Sequence, residues 1–571
     1  MNTPDLQRLT TLPGTRALRE GLSRLSFLER ILLSTLGLVL VISTGIMLRT
    51  LWKEYSVTVP ASGGTLTEGI VGTPRFINPL LAQSDIDKDL SALIYSGLMR
   101  PTPEGTLVPD LAEKYTVSDD GTVYTFVLKK DATFHDGQPV TAEDVVFTIT
   151  RAQDPFMGSA VQYIWEGITV AAEDTHTVVF TLPRPYTPFL ENTTLGILPR
   201  YLWENTTAET FPVHRLNTLP VGSGPFKVDR VTRDASGIPT EYALTRFTNF
   251  TLGAPRLQGL RIKTYDTEEA ALEAFLSDTI DTVKGIDPVY GHDLEDDVRI
   301  IRYPLTRLFG VFFNQNEKEI FTDATIREAL STSIDTDVLI TEVLYGYGNP
   351  VTGPVIPPLE NFSKEHVKGT LKEARALLEE DGWEMGEDGI FMKDDAPLSF
   401  TLSTANTPEL KRTAEVLKRM WENLGVLVTI ELFDIGALHQ EVIRPRAYDA
   451  LLFGQVIGRG GDLFPFWHSS QRNDPGLNIA LYANITTDAI LEDIRTTLDA
   501  NERQELYVSL AEEIESDMPA VFLYAPEMLY LVPKILKGIS AGPLDEASER
   551  FMDVYSWHKA TRSILSLFQN N

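Results

Sequence analysis

The alternation of apolar and polar positions is clearest between residues 119 and 151, where it predicts a turn, a strand, a second turn and a helix. Asp119–Gly121 is a turn signal, and the side chains of Val123–Leu128 alternate between two faces, as in a half-buried strand. Thr141 stands three residues before Asp144, which is the spacing of a capping box at a helix N-terminus. We therefore expect this block to form a compact packing unit.

Similar patterns predict further elements along the rest of the chain. A helix at 409–424, a glycine at position 425 and a strand at 426–432 follow one another directly, which is typical of an α/β protein. The apolar spacing also predicts helices at 87–99, 268–276, 371–383 and 505–515, strands at 65–70, 122–129, 167–170, 177–182 and 307–314, and a strand pair at 520–531.

A different pattern stands near the N-terminus, where Ile31–Leu48 is an uncharged apolar run about long enough to span a bilayer. By the positive-inside rule, the arginines at positions 8, 16, 19, 24 and 30 place the N-terminus in the cytoplasm and the chain after Arg49 outside. A buried core helix fits poorly, because the run has no polar stripe. A cleaved signal peptide is the other alternative, with Val59–Ala61 as its cleavage site. The long N-terminal segment before the run favours an uncleaved anchor.

Composition limits the class of protein and of partner. The 571 residues are 43% hydrophobic and 23% charged, which is ordinary for a globular protein of several domains. Fifty basic and 80 acidic residues give a net charge of −30, which argues against nucleic acid or anionic lipid as the main partner. The chain contains no Cys, which excludes disulfides, thiolate metal sites, Cys nucleophiles and lipidation of a cysteine.

No catalytic set emerges from the sequence, so we expect a protein that is not an enzyme. Residues 538–542 match the G-x-S-x-G pattern of serine hydrolases, but Pro543 and an acidic stretch follow where a helix is required. His135 and Asp136 lack a third catalytic partner and are interpreted as turn chemistry. The eight His residues are scattered, so neither a metal site nor a cofactor is predicted.

Several separate blocks resemble one protein family over roughly residues 63–557. They are the block at 119–151, the glycine-rich segment VGSGPFKV at 221–228, and the helix pair with its Gly/Pro loop at 326–358. These blocks are similar to extracytoplasmic solute-binding protein family 5, whose members serve peptide and nickel ABC transporters. The resemblance implies an α/β fold of the periplasmic-binding-protein-like type II, with two lobes, a hinge and an extra inserted α+β subdomain, behind one N-terminal transmembrane helix.

The resemblance also implies how the chain is divided. The chain would leave lobe I, form lobe II and then return to lobe I. Lobe I would therefore be discontinuous in sequence. The implied segments are a cytoplasmic N-terminal segment at 1–30, a transmembrane anchor at 31–48, a linker at 49–64, lobe I at 65–100 and 220–312, its inserted subdomain at 101–219, lobe II at 313–524, and the return to lobe I with a C-terminal tail at 525–571.

A candidate ligand site lies in the stretch Tyr448–Ser470. In peptide-binding relatives an Asp after a strand that begins Tyr-Asp pairs with the α-ammonium of the ligand. The resemblance implies Asp462 in this role, because a partly desolvated ammonium needs an opposite charge. Arg459 would oppose a ligand carboxylate. A turn role for Asp462, a surface position for Arg459 and an ordinary core position for Trp467 remain open. The predicted ligand-binding set is Arg459, Gly461, Asp462, Phe466 and Trp467, with Phe466 and Trp467 as an apolar pocket wall.

The resemblance further implies a function and partners. The protein would be the substrate-binding component of an ABC importer, capturing peptides in an interlobe cleft and delivering them to permease subunits with their ATPase. Family members are often held by a lipidated Cys, so here the N-terminal helix would keep a monomeric, single-pass protein at the cell membrane with its large part extracytoplasmic, in the periplasm or at the cell exterior. The alternative is a binding protein or sensor for a non-peptide solute such as a nickel chelate, haem or an oligosaccharide.

Overall fold

The structure is a computed structural model, and it describes residues 26–294, 298–356, 359 and 369–565. The strands of these residues are β1 (Ser56–Ala61), β2 (Thr65–Val71), β3 (Met99–Pro101), β4 (Leu107–Pro109), β5 (Ala112–Val117), β6 (Val123–Leu128), β7 (Thr169–Ala172), β8 (Thr177–Thr181), β9 (Phe226–Arg233), β10 (Pro239–Arg246), β11 (Gly259–Tyr265), β12 (Thr282–Lys284), β13 (Arg299–Pro304), β14 (Arg307–Phe313), β15 (Gly348–Pro350), β16 (Glu384–Met385), β17 (Phe391–Lys393), β18 (Ala396–Pro397), β19 (Ser399–Ala405), β20 (Leu427–Phe433), β21 (Ala450–Val456), β22 (Ala520–Val532) and β23 (Ala560–Leu565). The α-helices are α1 (Phe27–Tyr55), α2 (Asp85–Ile94), α3 (Ala142–Gln153), α4 (Phe189–Asn192), α5 (Arg200–Trp203), α6 (Glu268–Leu276), α7 (Pro288–Leu294), α8 (Ala324–Thr332), α9 (Thr336–Leu344), α10 (Leu371–Glu380), α11 (Pro408–Leu424), α12 (Ile435–Ala437), α13 (Phe464–Trp467), α14 (Ile485–Thr496) and α15 (Ala500–Asp517).

The chain divides into two compact units, of which the smaller comprises residues 1–61 with 560–571. Its described part holds α1, which is long and apolar enough to cross a membrane. The predicted run Ile31–Leu48 lies inside this helix. Directly after it, β1 pairs with β23 in an antiparallel two-stranded sheet. The predicted arginines at positions 8, 16, 19 and 24 lie outside the described residues.

The larger unit, residues 62–559, is organised on one mixed sheet with the strand order β20-β19-β21-β14-β22-β12-β2-β11-β10-β9. β22 pairs with β14 through Ala520–Tyr524 and with β13 through Glu527–Val532. By this pairing we name residues 62–304 with 527–559 lobe I, and residues 307–524 lobe II. The strand β22 therefore runs through both lobes without interruption.

Each lobe has its own hydrophobic core. The core of lobe I includes Leu66 of β2 and Leu260 of β11, which are both fully buried in a parallel strand pair. The core of lobe II includes Leu402 of β19 and Trp421 of α11. Because β19 and β20 are parallel and are joined by α11, this half of the sheet is the α/β unit that the helix-glycine-strand pattern predicts. Gly425 ends α11 with a φ of +113°, as expected for a residue just past a helix.

A fully buried ion cluster ties the C-terminal part of the chain to lobe I. The Arg550 guanidinium pairs with the carboxylates of Glu68 on β2 and Asp89 on α2. Lys284 also contacts Asp89, at 3.0 Å. Removing one partner of such a cluster leaves an unpaired buried charge, so these residues fix the return of the chain to lobe I.

The block at 119–151 folds as its pattern predicts. β6 lies in an antiparallel sheet with the order β5-β6-β8-β7, and Thr141 and Asp144 form the predicted capping box at the start of α3. His135 is part of the scaffold, since its ring Nε2 lies 3.0 Å from the carbonyl oxygen of Gly224 and its Nδ1 accepts from the N–H of Gly222. Burial lowers the pKa of His135 to about 4.

The helix predicted at 87–99 is wrong at both ends, because α2 spans Asp85–Ile94. Ser84 caps its N-terminus, and the glycine-rich segment 221–228 packs against its C-terminus. The N–H of Gly224 donates to the carbonyl of Ile94, and a Cβ at Gly222 would lie 2.1 Å from that same oxygen. These glycines are therefore required by close approach of two backbones rather than by a turn.

Other predicted elements also differ in extent, and the strand predicted at 167–170 is β7, Thr169–Ala172. α10 ends at Glu380 instead of residue 383, because Gly382 adopts a φ of +85°. α15 begins at Ala500 instead of residue 505, since the side chain of Asp499 accepts hydrogen bonds from the first turn. The predicted strand pair at 520–531 is one strand, β22.

Candidate functional site

The two lobes meet at edges where parallel strands end. In open α/β sheets, ligands bind outside the carboxyl ends of the strands. In lobe I, Asp287 closely follows the end of β12, and in lobe II α11 follows the end of β19. Arg412 of α11 contacts Asp287, so these two edges face each other. We call the residues at this meeting edge the interlobe seam: 285–287, 306–309, 406–412 and 455–462.

One cross-lobe ion pair joins the end of β12 to α11. Nη2 of Arg412 lies 3.1 and 3.0 Å from the two carboxylate oxygens of Asp287. The N–H of Asp287 donates to the carboxylate of Glu268, which lies in the first turn of α6. Burial raises the pKa of Glu268. Lobe I therefore has two neighbouring carboxyl groups at this edge, and Arg412 pairs with that of Asp287.

Two oppositely charged side chains near this ion pair have buried atoms without partners. Oε1 of Glu409, in the first turn of α11, and Nε of Arg307, the first residue of β14, make no hydrogen bond among the described residues. Burial raises the pKa of Glu409, while a hydrogen bond from Tyr524 and the positive charges of Arg307 and Arg412 oppose the shift. A buried polar group left unpaired costs about 1–3 kcal/mol, so a solute that satisfies these groups would gain affinity.

Gln455 is a second buried polar position in the seam. The residue is only 3% exposed, and neither atom of its side-chain amide has a hydrogen-bond partner in the described part of the chain. It stands opposite Leu308 in the β14–β21 pair and shares the face of Leu308, whereas Arg307, the preceding residue of β14, lies on the other face. Buried side-chain amides are nearly always paired in folded proteins, so an unpaired one at a lobe edge indicates a place for atoms of a ligand.

Asp462, which the sequence proposes as the ammonium-binding residue, already has partners within the chain. Its two oxygens accept from Nε and Nη2 of Arg495, at 2.8 and 2.6 Å. The hydroxyl of Tyr186, in lobe I, also donates to Asp462 at 3.1 Å. The Arg495 guanidinium lies over the ring of Phe464, 3.8 Å from its centroid. Asp462 thus holds a contact between the lobes, and a ligand ammonium would have to share its carboxylate.

Arg459 is not a surface charge, since its side chain is only 3% exposed. Its guanidinium donates to Glu549 at 2.8 Å and to Glu191 at 3.2 Å, and Asp545 lies within 3.7 Å. All three carboxylates belong to lobe I. Burial raises the pKa of Glu549 to about 7, and the neighbouring charge of Arg459 opposes that shift. One arginine of lobe II is therefore shared among three acidic residues of lobe I through its two Nη atoms, while its buried Nε makes no hydrogen bond among the described residues.

The remaining three residues of the predicted set lie in the body of lobe II. Gly461 adopts a φ of +67°, and its carbonyl accepts from the hydroxyl of Tyr507 at 3.0 Å. Phe466 is partly buried against the lobe II core. Trp467 is fully buried, with its ring beside those of Phe312, Tyr482 and Phe522, which is the ordinary core position.

A cavity of about 710 Å³ opens in lobe I beside the carboxylates that hold Arg459. It lies between α2 and the segments 160–164, 191–196 and 545–552, and Glu191 and Glu549 contribute to its wall. Lys88, Tyr95, Tyr163 and Asp110 also line it. Its volume is in the range of pockets that bind small ligands.

Neither a metal centre nor a hydrolase site is assembled in the part of the chain that the structure describes. No three His, Asp or Glu side chains in that part are placed to hold a metal ion. Ser540 lies in an irregular segment, and its N–H donates to Asp553. No helix follows it to form a nucleophile elbow.

The sequence predictions missed Arg307, Glu409, Arg412 and Gln455. One signal was present, since Gln455 is the only polar residue other than glycine in the buried strand ALLFGQV. The charged residues at the start of β14 and of α11 were also visible, but their common location depends on how the two lobes are assembled.

Comparison with known proteins identifies relatives that share this architecture. Residues 106–475 match the family described as bacterial extracellular solute-binding proteins, family 5 Middle. The oligopeptide-binding protein AppA of Bacillus subtilis (strain 168) is 27% identical over 506 residues, covering 86% of this chain and 91% of that protein. The dipeptide-binding protein of Escherichia coli (strain K12) is 25% identical over 531 residues, covering 87% of this chain and 96% of that protein.

Solved structures agree with this match. AppA from Bacillus subtilis in complex with a nonapeptide has a TM-score of 0.68 and 25% identity, covering 88% of this chain and 100% of that chain. NikZ from Campylobacter jejuni in complex with Ni(L-His) has a TM-score of 0.69 and 25% identity, covering 87% and 99%. The chain has the predicted type II periplasmic-binding fold, and it belongs to the bacterial extracellular solute-binding proteins of family 5.

Proposed function

We propose that this protein is the substrate-binding component of an ABC importer, and that it captures peptides in the cleft between its lobes and delivers them to the permease. The observation that carries the proposal is the set of buried polar atoms without partners at the interlobe seam, on Arg307, Glu409, Arg412, Gln455 and Arg459. The names of two relatives, an oligopeptide-binding and a dipeptide-binding protein, support a peptide as the solute.

A peptide suits such a seam because it brings both donors and acceptors along its backbone. Peptides in clefts of this kind are held mainly by backbone hydrogen bonds, as in an added strand. The seam offers a buried acceptor on Glu409 and a buried donor on Arg307 on the α11 side of β14, and one of each on Gln455 on the other face. Closure of the two lobes about their crossing strands would remove these groups from water together with the solute.

We further propose that α1 anchors the protein in the cell membrane as a single-pass helix with the larger unit on the extracytoplasmic side. Support comes from the length and apolar character of α1 and from the arginines before it. The alternative of a signal peptide cleaved at Val59–Ala61 would remove most of β1 from its pairing with β23. The intact mass of the protein recovered from the membrane fraction distinguishes the two, because only the uncleaved protein retains residues 1–61.

Mass spectrometry of the solute that co-purifies with the full-length chain in detergent tests the peptide proposal. We expect a mixture of short peptides, released on denaturation. Recovery of a nickel chelate, haem or an oligosaccharide instead would contradict the peptide assignment and leave only a binding protein of this family. Native mass spectrometry of the same sample reports the oligomeric state, which we expect to be monomeric.

An uptake assay in cells distinguishes a role in import from a role in sensing. If the protein serves a permease, deletion of its gene is expected to abolish accumulation of the labelled co-purifying peptide in cells. Unchanged accumulation would contradict a transport role and favour a sensor. A strain that expresses the chain without residues 1–55 lacks the proposed anchor. Accumulation in this strain tests whether transport depends on that anchor.

A further inference from the structure

We infer that Arg307 binds a carboxylate of the solute, so that the cleft selects peptides through an anionic group. The inference rests on the proposed function and deepens it, because it assigns one chemical class of contact to one residue. Arg307 was not among the residues that the sequence singled out.

Arg307 differs from the other arginines at the seam in forming no ion pair within 4.0 Å among the described residues. Arg412 is paired with Asp287, Arg459 with Glu191 and Glu549, and Arg495 with Asp462. Arg307 forms no ion pair and no hydrogen bond through its side chain with any residue that the structure describes, and its Nε is buried. A guanidinium that is partly withdrawn from water without a partner is costly to maintain, unless a ligand supplies the partner.

The backbone around Arg307 is held firmly at the crossing between the lobes. Arg307 begins β14 and pairs with Val456 of β21, while the preceding residue, Thr306, donates its N–H to Leu544 at 3.0 Å. Since side chains alternate along a strand, Arg307 shares a face with Phe309. The ring of Phe309 lies 5.4 Å from that of Tyr524, the residue beside Glu409. This face of the strand is therefore the one that borders α11.

The neighbouring Glu409 determines which anion fits. The charge of Arg307 acts on the Glu409 carboxylate, but the two groups form no ion pair within 4.0 Å among the described side chains. A simple anion such as sulfate would be repelled by Glu409. A carboxylate with an N–H group next to it, as at the end of a peptide, can bind the Arg307 fork in bidentate fashion and donate to Oε1 of Glu409.

Blocking the carboxylates of the solute tests this assignment. The probes are a tryptic digest of casein and the same digest after amidation of its carboxyl groups, each offered to the full-length protein in detergent. Loss of a charge-assisted contact corresponds to about a 10- to 100-fold loss of affinity. We expect amidation to lower retention of peptides by the wild-type protein to this extent. Arg307→Met is expected to lower retention of the unmodified digest equally. Amidation is expected to have no further effect on retention by Arg307→Met.

Two variants serve as controls. Arg261→Met removes an exposed arginine of β11 in lobe I, away from the seam, and is expected to behave as the wild-type protein. Arg307→Lys keeps the charge but loses the planar fork, so it is expected to keep a weaker amidation effect. Arg307→Lys also tests the inference if Arg307→Met fails to fold. The thermal unfolding midpoint of Arg307→Met reveals such a failure.

The outcomes separate this inference from the proposed function. An amidation effect of equal size in the wild-type protein and in Arg307→Met would overturn the assignment of Arg307, while peptide binding itself would stand. The absence of any amidation effect in the wild-type protein would do the same. Failure of the wild-type protein to retain either digest would contradict peptide binding, and the Arg307 assignment would fall with it.

Discussion

Arg459 and Asp462 stand three residues apart in one loop of lobe II, but different partners in lobe I hold them. Arg459 contacts Glu191 and Glu549, while Asp462 accepts from Tyr186 and is neutralised by Arg495 within lobe II. Both residues therefore connect the lobes in this structure. Their contribution to solute binding stays a prediction, and it can be separated from this connecting role by experiment.

Asp462→Ala is expected to weaken binding of the co-purified peptide by about 2 kcal/mol or more, because truncating one member of a desolvated charge pair leaves the other unpaired. Calorimetry with the free and the N-acetylated peptide identifies the partner. If Asp462 meets the α-ammonium, acetylation weakens binding to the wild-type protein and has no further effect on the variant. An equal acetylation effect in both proteins would show that Asp462 acts only through Arg495 and Tyr186.

Glu549 makes stability depend on pH. Its pKa is raised from 4.5 to about 7 by burial, so the folded protein binds more protons than the unfolded chain between these pH values. The unfolding free energy contributed by this residue therefore falls as pH rises from about 4.5 to about 7, with a slope of at most about 1.4 kcal/mol per pH unit.

Glu549→Gln removes this titrating group, and urea unfolding at several pH values checks the expectation. The stability difference between the variant and the wild-type protein is expected to shift in favour of the variant as pH rises through this window. Asp174→Asn, at an exposed hairpin, provides a control outside the cluster. A pH-independent difference for Glu549→Gln would mean that Glu549 is ionised throughout in the folded protein.

At the scale of elements, local signals predicted most of the secondary structure. β6, α3, α6 and α11 follow from alternation, capping residues and helical spacing, which act within a few residues. The C-terminal end of α2 could not be predicted in this way, since Gly222 and Gly224 pack against Ile94 from more than a hundred residues away. The seam depends on contacts of the same long-range kind, and for that reason local signals did not indicate Arg307 or Glu409. The loop at 459–462 was proposed from the family resemblance.

Gly222→Ala tests the close approach at the end of α2. A Cβ at this position would lie 2.1 Å from the carbonyl oxygen of Ile94, which is backbone and cannot move aside easily. We expect a loss of about 1–3 kcal/mol of stability in denaturant unfolding, as for other overpacked sites. Gly436→Ala is the matched control, because its added methyl group meets nothing within 4 Å. Equal stability of the two variants would contradict the close packing.

At the scale of the whole larger unit, two groups of cross-lobe contacts hold the lobes together on either side of the crossing strands. One contains Arg412 and Asp287, and the other contains Arg459 with its carboxylates and Asp462 with Tyr186. The assembly of the two lobes could be inferred only from the family resemblance, because no local pattern specifies which surfaces meet.

Arg459→Met is expected to widen the separation of the lobes, since it removes the cation shared by Glu191 and Glu549. The chain has no Cys, so labels can be placed selectively at Glu173→Cys in lobe I and Glu502→Cys in lobe II. Pulsed spin-label measurements on the solute-free protein report the distance between them. Arg261→Met should leave the distance distribution unchanged. An unchanged distribution in Arg459→Met would show that this cluster does not hold the lobes.

β22 determines how such a movement can occur mechanically. β22 forms ladder hydrogen bonds in both lobes. Separation of the lobes therefore has to bend and twist a continuous sheet, because no flexible loop at β22 joins them. Pro526 lies at the midpoint of this strand and donates no hydrogen bond, so bending there breaks no ladder bond that it donates. The resting position of the cleft is then an elastic property of the sheet, and its stiffness limits how far a solute can move the lobes.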